Sequence, residues 1–283
     1  MAKVTLTPEQ RRERLDTAGR ELSAAVESIV TGDDWQRALA FAGRFHHYSA
    51  NNVFLLMMQC SGRGYSDVQH VAGFRTWLSL DRHVRKGEKG LAILAPCTYK
   101  TTDETTGEET YRLRGFKVEH VFADCQTDGD GEIPSMPRPE LLTGDTVAGL
   151  SDALARLVAE QGFGLETTPL AEANGRTNYG ARMVTISDQL APAAAVKTLA
   201  HELAHVLLHE HRMGSDRGQV ECEAESVAYL VLDAFGIASD GYSFPYVAGW
   251  SGGKAETVAK ALDAAKRCAA EILASVQETA IAA

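Results

Sequence analysis

One segment of this sequence suits neither a regular helix nor a strand, and it divides the chain in two. Residues 124–132 are acidic and rich in glycine, and three prolines follow within residues 134–139. Such residues interrupt regular structure and favour an extended connector. The 283 residues are enough for two ordinary domains. We therefore predict a first domain at 1–126, a linker at 127–144 and a second domain at 145–283.

Charge is distributed unevenly between the two predicted domains. Residues 1–126 contain 17 Lys and Arg against 16 Asp and Glu, whereas residues 127–283 contain 11 against 22, so their net charges are +1 and −11. This asymmetry indicates that the two regions have different roles. The acidic total does not exclude nucleic acid as a partner, because such binding depends on local patches.

Several classes of protein are excluded. The longest uninterrupted apolar run, residues 53–58, is far shorter than the roughly 20 residues that a membrane-spanning helix needs. The N-terminus lacks an apolar segment before a small-residue cleavage site, so no signal peptide is expected. Five cysteines are scattered without a CxxC pair, which is typical of free thiols in a reducing compartment. We expect a cytoplasmic protein that has no membrane partner.

Hydrophobic periodicity predicts an α+β fold with two domains. In the first domain we expect a helix after Pro8, a second capped by Asp33 and Asp34, a short helix at 74–80, and strands at 91–95 and 111–122 joined by a polar loop at 101–110. In the second domain we expect helices at 145–161, 193–211, 220–235 and 254–277, with Asp145 as the first cap, and a strand at 182–187. The first domain is thus helical with a small antiparallel sheet.

The sharpest motif is His201-Glu202-Leu203-Ala204-His205, an HExxH sequence inside the 193–211 helix. Residues four apart share a helix face, so both imidazoles can bind one ion. Catalytic zinc keeps a position open for water, and Glu202 would be the base acting on that water. A helix that only happens to carry two surface histidines would contain the same motif. The apolar character of the 193–211 helix and the candidate third ligands nearby favour a metal site instead.

The third ligand must come from another group near this motif. His211 occupies the metzincin position, but that pattern needs a glycine turn where this chain has Leu208, so we reject His211. His209 lies two turns from His201, roughly 12 Å along the helix axis, which is too far for one ion to bridge. We expect His209 to cap or orient a neighbouring group.

The following helix carries three glutamates, Glu221, Glu223 and Glu225. Glu221 and Glu225 share a face with Ala224 and Ala228, whose small side chains would allow this helix to approach the HExxH helix. We predict that Glu221 is the third ligand and that Glu225 accepts a hydrogen bond from a ligand histidine. Glu223 lies on another face and is expected in solvent. A charged helix surface is the alternative for all three.

Neither the metal nor the oxyanion-stabilising group is fixed by the sequence. Histidine and carboxylate ligands suit several divalent ions, so we predict Zn²⁺ and keep Mn²⁺ as an alternative. Peptide hydrolysis at such sites often uses a further side chain to stabilise the oxyanion. The candidates are Tyr179, His209, Tyr242 and Tyr246. Core packing is the alternative for each aromatic residue.

Positive charge in the first domain is concentrated in one turn and on the predicted hairpin. The turn and the helix before it carry Arg75, Arg82, Arg85, Lys86 and Lys89. On the hairpin, Arg112, Arg114 and Lys117 alternate with Leu113 and Phe116. Cations neutralise phosphates and exposed rings stack on bases, so this composition suits single-stranded nucleic acid. A solvated turn with buried aromatics is the alternative.

The second domain resembles a known group of metallopeptidases. The HExxH motif followed by Glu221-x-x-Ala224-Glu225-x-x-Ala228 is similar to the zincin domains of ImmA/IrrE-like and ArdC-type proteins, over roughly residues 145–250. The resemblance implies a gluzincin-like metallopeptidase domain in which Glu221 is the third ligand and Glu225 supports a ligand histidine.

The first domain resembles the N-terminal domain of ArdC-type antirestriction proteins over about residues 8–126. The similar segments, in order, are 48–56, 71–77, 84–96 and 116–122, with Gln126. The resemblance implies single-stranded DNA binding in a family found on plasmids and other mobile elements, where it is linked to protecting incoming DNA from restriction. From charge and ring chemistry we predict DNA contacts at Tyr48, Asn52, Arg75, Trp77, Arg82, Arg85, Lys86 and Lys89.

The resulting hypothesis is a single-stranded-DNA-binding protein with a zinc-dependent peptidase domain that hydrolyses amide bonds of a protein substrate. One alternative is a protein that protects DNA by occupancy and whose metal site is structural or vestigial. Another is a metallopeptidase whose basic first half recognises a protein partner. A purely structural or adaptor protein would contain no stoichiometric metal.

Overall fold

The computed structural model describes residues 7–45, 47–102, 109–133, 146–171, 173–212, 216–237, 244 and 247–282. The helices are α1 (Pro8–Glu27), α2 (Gly32–Arg44), α3 (Ala50–Gly62), α4 (Phe74–Ser79), α5 (Thr146–Glu160), α6 (Pro192–His209), α7 (Arg217–Ala234), α8 (Val247–Ser251) and α9 (Ala255–Ala282). The strands are β1 (Val71–Ala72), β2 (His83–Val84), β3 (Leu91–Thr102), β4 (Glu109–Ala123), β5 (Thr127–Asp128), β6 (Gly164–Thr168), β7 (Gly175–Asn178) and β8 (Met183–Ser187). The predicted two-domain α+β class is confirmed.

The chain forms two compact units, and neither is a single continuous segment. The first unit contains residues 1–26 and 47–135, and the second contains residues 27–46 and 136–283. The linear division at residue 126 therefore differs from the structure in the placement of α2. This helix buries Trp35 and Leu39 completely, and the indole Nε1 of Trp35 donates a hydrogen bond to Ser226 Oγ on α7 over 2.8 Å.

The predicted linker contributes to the first unit. Strand β5, at Thr127–Asp128, pairs antiparallel with β2, so ordered structure continues beyond residue 126. Residues 134–144 of the linker and the predicted cap Asp145 lie outside the described residues.

The first unit is built on a long antiparallel hairpin. Strands β3 and β4 pair from Leu91↔Val121 to Thr102↔Glu109, with a bulge between Cys97 and Thr98, and β1 adds to the other side of β4. The remaining edge of β3 is covered by α3. The side-chain amide of Asn52 exchanges two hydrogen bonds with the backbone of Leu94, and Gln59 does the same with Ala92. Helix α3 thereby satisfies the outward backbone groups of β3 at Ala92 and Leu94.

The second unit places helices beside a small mixed sheet. Its strand order is β6-β8-β7, with β6 parallel and β7 antiparallel to the predicted strand β8. Strand β7 pairs on one side only among the described strands, and it lies next to α6. Helices α6 and α7 are in contact, and both carry small buried side chains, among them Ala204, Ala224 and Ala228. Such residues permit a close helix–helix approach.

Among the helices of the described residues, none is both long enough and apolar enough to cross a bilayer.

Candidate metal centre and candidate nucleic-acid interface

Two helices bring the predicted metal ligands together. Helix α6 presents His201 and His205 one turn apart, and their Nε2 atoms are 3.0 Å from each other. Helix α7 begins at the cap Asp216, whose carboxylate accepts from the backbone N–H of Gly218, and it carries Glu221 to the same point. Glu221 Oε2 lies 3.4 Å from His201 Nε2 and 3.8 Å from His205 Nε2.

These separations fit one divalent cation. A tetrahedral site with ligand distances of about 2.0–2.2 Å places its ligand atoms roughly 3.3–3.6 Å apart. The three candidate atoms lie 3.0, 3.4 and 3.8 Å apart, so small side-chain rotations would bring them to that geometry. The Glu221 side chain is about two-fifths exposed, which leaves the site open to solvent. Three protein ligands and an open side are typical of catalytic rather than structural sites.

Glu202 is buried directly beside this site. Thr177 on β7 donates a hydrogen bond from its hydroxyl to Glu202 Oε2 over 2.7 Å. Gly175, on the same strand, leaves the space that the carboxylate fills, because a Cβ there would lie 2.8 Å from Glu202 Oε1. Burial raises the pKa of Glu202 above its ordinary value, although the Thr177 hydrogen bond opposes the shift.

The outer nitrogen of His201 meets a carboxylate, as the sequence predicts. His201 Nδ1 lies 3.0 Å from Glu225 Oε2, and Lys197 Nζ lies 2.9 Å from the other oxygen of Glu225. Burial by itself would lower the pKa of His201. The hydrogen bonds with Glu221 and Glu225 outweigh this effect and raise the pKa to about 9.

His205 is supported differently. Its Nδ1 lies 3.0 Å from Nδ1 of His209, whose Nε2 lies 3.0 Å from Glu223 Oε2. The expectation that Glu223 faces solvent is wrong, since its side chain is 1% exposed. Its carboxylate accepts hydrogen bonds from Gln219 and Arg212. Burial raises the pKa of Glu223, but these polar partners together with His209 lower it more, so the net shift is downward.

Of the four oxyanion candidates, two can be placed. The hydroxyl of Tyr179 donates to the backbone oxygen of His205 over 3.2 Å, and its side chain is partly exposed. His209 is turned towards Glu223 and is buried. Tyr242 and Tyr246 lie outside the described residues.

Two of the predicted DNA contacts belong to the core, which corrects the sequence-based prediction. Trp77 is fully buried, and its Nε1 donates to the backbone oxygen of Phe122 over 2.9 Å. A ring in this position has no face to offer a base. Asn52 is 7% exposed, and its side-chain amide is hydrogen-bonded to the backbone of Leu94 at the edge of β3. Tyr48 is partly buried, with its hydroxyl 3.4 Å from the backbone oxygen of Val71.

The basic turn contains two kinds of cation. Arg82 donates to the backbone oxygens of Thr127, Gly129 and Gly131 and therefore holds the turn against the segment that follows β4. Arg85 is paired with Glu88 over 2.8 Å. The remaining predicted contacts are exposed: Arg75, Lys86 and Lys89.

The hairpin presents exposed rings and cations that the predicted contact set omitted. Tyr99 and Phe116 are 47% and 50% exposed, on opposite faces of the hairpin, and Arg112 and Lys117 are exposed on the face that carries Tyr99. In the sequence, the alternation of cationic with apolar residues at 112–117 was the pattern that could have indicated these contacts. Exposure depends on what covers the strands, so the sequence alone left the buried-core alternative open.

A cleft of about 600 Å³ lies against the same hairpin. Its lining includes the cations Arg14, Arg63 and Lys89, the carboxylates Glu13 and Glu21, and the strand residues Val118 and His120. Side chains alternate along a strand, so Phe116 lies on the same face of β4 as Val118 and His120. The exposed ring therefore lies on the face of the hairpin that lines the cleft.

Comparison with known protein families matches each half of the chain separately. Residues 16–122 match the N-terminal domain of the anti-restriction factor ArdC, and residues 159–239 match the IrrE N-terminal-like domain of peptidase family M78. Comparison with curated proteins gave no significant match.

Two solved structures are similar over most of the chain. The metal-free structure of the antirestriction protein ArdC from plasmid R388 has 23% sequence identity and a TM-score of 0.54, and covers 82% of this chain and 86% of that one. The Mn(II)-bound structure of the same protein has 22% identity and a TM-score of 0.52, with 81% and 89% covered. At this identity the likeness establishes the shared fold. The two family matches identify an ArdC-type N-terminal domain in the first half of the chain and an IrrE-like domain of peptidase family M78 in the second half.

Proposed function

We propose that the second unit is a metal-dependent peptidase. The observation that carries this proposal is the convergence of His201, His205 and Glu221 on one point, with the buried carboxylate of Glu202 beside it. A divalent cation bound there supplies Lewis-acid activation of water and of a carbonyl group. The related ArdC structure with Mn(II) supports a cation site of this kind. We propose Zn²⁺, with Mn²⁺ as the alternative.

Glu202 would act as the base and then as the acid. Its carboxylate would accept a proton from the attacking water and return it to the leaving nitrogen. The upward shift of its pKa by burial favours both steps, because a group that accepts and then donates a proton works best near the ambient pH. Thr177 would hold the carboxylate in one orientation.

We propose that the substrate is an extended segment of a protein. Strand β7 pairs with β8 on one side and leaves its other edge available among the described strands. A peptide that added to this edge as a further strand would pass Thr177 and therefore Glu202. Backbone hydrogen bonds along the edge would then position an amide bond at the site.

We propose that the first unit binds single-stranded DNA along the hairpin and its cleft. Phe116 offers a ring face on the cleft side of the hairpin, and the cleft residues Lys89 and Arg14, together with Lys86, offer exposed positive charge. Rings that stack on bases next to cations that contact phosphates are typical of sequence-tolerant binding to single strands. The match to the ArdC N-terminal domain supports this assignment.

Together the two units would protect DNA of a mobile element by directing the peptidase to proteins bound on it, since tethering raises the effective concentration. The alternatives are protection by occupancy with a structural metal, and recognition of a protein partner by the first unit. The test compares wild-type protein with Glu202→Gln in a restriction assay on unmodified incoming DNA. Loss of protection with retained folding and DNA binding supports the peptidase. Full protection by Glu202→Gln overturns it and favours occupancy.

Binding by the first unit is tested separately, by fluorescence anisotropy with single-stranded and duplex oligonucleotides across a salt series. Salt-dependent binding that prefers the single strand supports the proposal. Binding to an acidic protein, without competition from the oligonucleotide, would favour the protein-partner alternative.

A further inference from the structure

We infer that His209 and Glu223 are positioning residues that hold the ring of His205 ready to bind the cation through an imidazole–imidazole–carboxylate chain. The inference rests on the proposed metal site and assigns a role to two residues outside its ligand set. The chain runs from His205 Nδ1 to His209 Nδ1 over 3.0 Å, and from His209 Nε2 to Glu223 Oε2 over 3.0 Å.

Only one distribution of hydrogens suits two neutral imidazoles in this chain. Because Nε2 of His205 faces His201 and Glu221, it must be without hydrogen to act as a ligand. The hydrogen of His205 is then on Nδ1 and is donated to His209 Nδ1. His209 must therefore carry its own hydrogen on Nε2, where the carboxylate of Glu223 accepts it.

The far end of the chain is anchored firmly. The side chains of His209 and Glu223 are 3% and 1% exposed, so water does not compete for their hydrogen bonds. Glu223 Oε1 accepts from Gln219 over 2.7 Å, and the guanidinium of Arg212 binds the other oxygen. The carboxylate is thus kept charged and fixed, and it selects the Nε2–H form of His209.

The two ligand histidines are consequently supported by routes of different length. His201 reaches its carboxylate, Glu225, directly, whereas His205 reaches Glu223 through a second imidazole. The longer route also ties the last turn of α6 to α7. Orientation of His205 should therefore depend on residues one step further from the cation than is usual for a ligand histidine.

The experiment measures Zn²⁺ and Mn²⁺ affinity of the full chain by competition with a chelator. We expect Glu223→Gln and His209→Leu to weaken cation binding by about 10–100-fold. His209→Asn should recover part of the loss, because the asparagine oxygen can accept from His205 Nδ1. The matched control is Glu210→Gln, which removes a carboxylate from the same end of α6. Glu210 pairs with Arg182 over 2.6 Å and is not a member of the histidine chain. This variant should leave the cation affinity unchanged.

Two outcomes would overturn the inference alone: wild-type affinity in both Glu223→Gln and His209→Leu, or equal losses in His209→Asn and His209→Leu. Failure of the wild-type chain to bind either cation would instead overturn the proposed metal site, and the inference with it. A second measurement does not require the variants to fold. Nitrogen-15 NMR of the wild-type Zn²⁺ form should show hydrogen on Nδ1 of His205 and on Nε2 of His209, and the opposite tautomer of His209 would contradict the chain.

Discussion

Thr177 on the edge strand β7 donates its hydroxyl hydrogen to the buried carboxylate of Glu202 on α6 over 2.7 Å. A strand at the edge of the sheet thereby fixes the group proposed as the base. Replacing Thr177 by Val keeps the shape but removes the donor. We expect a loss of about 1.5–3 kcal/mol in the free energy of unfolding, measured by urea denaturation with chelator present, because the hydrogen bond is made to a buried charged group.

The matched control for this change is Thr177→Ser, which retains the hydroxyl. It should unfold at a higher urea concentration than Thr177→Val. Equal stability of these two variants would show that the hydroxyl does not stabilise the carboxylate.

Gly175 leaves room for the Glu202 side chain, and Gly175→Ala should remove that room. The new Cβ would lie 2.5 Å from Thr198 Cγ2 and 2.8 Å from Glu202 Oε1, so one of these groups must move. We expect a destabilisation of about 1–3 kcal/mol and a loss of the activity that depends on Glu202. Gly180→Ala is the control, since its nearest neighbour would be 3.6 Å away. Similar thermal stability in both variants would refute the steric argument.

Cation binding should stabilise the folded chain. At a free cation concentration one hundred times the dissociation constant, the folded state gains about 2.7 kcal/mol, provided that the unfolded chain does not bind the cation. The melting temperature of wild-type protein should therefore rise on addition of Zn²⁺ or Mn²⁺ and fall back with chelator. Glu221→Ala should show little of this rise, whereas Glu160→Gln, at an exposed position on α5, should show all of it. An undiminished rise in Glu221→Ala would remove Glu221 from the ligand set.

Stacking and charge at the proposed DNA surface are separable by their salt dependence. Phe116→Ala should weaken single-strand binding by about 1–3 kcal/mol without changing the salt slope, because stacking releases no counterion. Lys86→Ala should reduce the slope of log affinity against log salt by about 0.7. Lys260→Ala on α9 is the control and should change neither quantity. Anisotropy titrations at three or more salt concentrations measure both effects, and an unchanged affinity in Phe116→Ala would exclude that ring from the interface.

Lys266 on α9 gives a pH-dependent test of the second unit. Burial lowers the pKa of Lys266 to about 8, against a weaker opposing effect of Asp263. Between pH 8 and about 10.4 the unfolded chain binds this proton and the folded chain does not, so the contribution of Lys266 to stability rises with pH. Lys266→Met should thus be more stable than wild type at pH 7, by on the order of 3 kcal/mol.

The advantage of Lys266→Met should shrink as the pH rises through this range. Urea denaturation at pH 7 and pH 10 measures the difference. A gain that stays the same at both pH values would mean that the buried charge is not its cause.

Local patterns were sufficient for the parts of this protein that depend on helical spacing. The helix predicted at 193–211 is observed as Pro192–His209, and the helix predicted at 220–235 as Arg217–Ala234. A spacing of four residues fixes the shared face of His201 and His205 in any helix. The small residues Ala224 and Ala228 likewise predicted that α7 lies close to α6; both alanines are fully buried and the two helices are in contact.

The predictions that were wrong concerned burial. Whether a side chain is buried depends on elements that are distant along the chain. Glu223 looked solvated from its position on α7, but the end of α6 and Arg212 enclose it. Trp77 and Asn52 were predicted to contact DNA. In the structure the indole of Trp77 donates a hydrogen bond to the backbone of β4, and the amide of Asn52 donates one to the backbone of β3. The local sequence around an aromatic residue does not distinguish a ring that stacks on a base from a ring that is packed in the core.

The sequence by itself determined the domain family of each half, the α+β class and the HExxH and Glu221 pattern, because these depend on residue identity and on the fixed geometry of a helix. Only the tertiary structure decided that α2 belongs with the second unit, where Trp35 reaches Ser226. It also decided that His205 is supported through His209 by Glu223. Both relationships arise from packing between elements far apart in the chain, where the gain from burying apolar surface and pairing buried polar groups selects one arrangement.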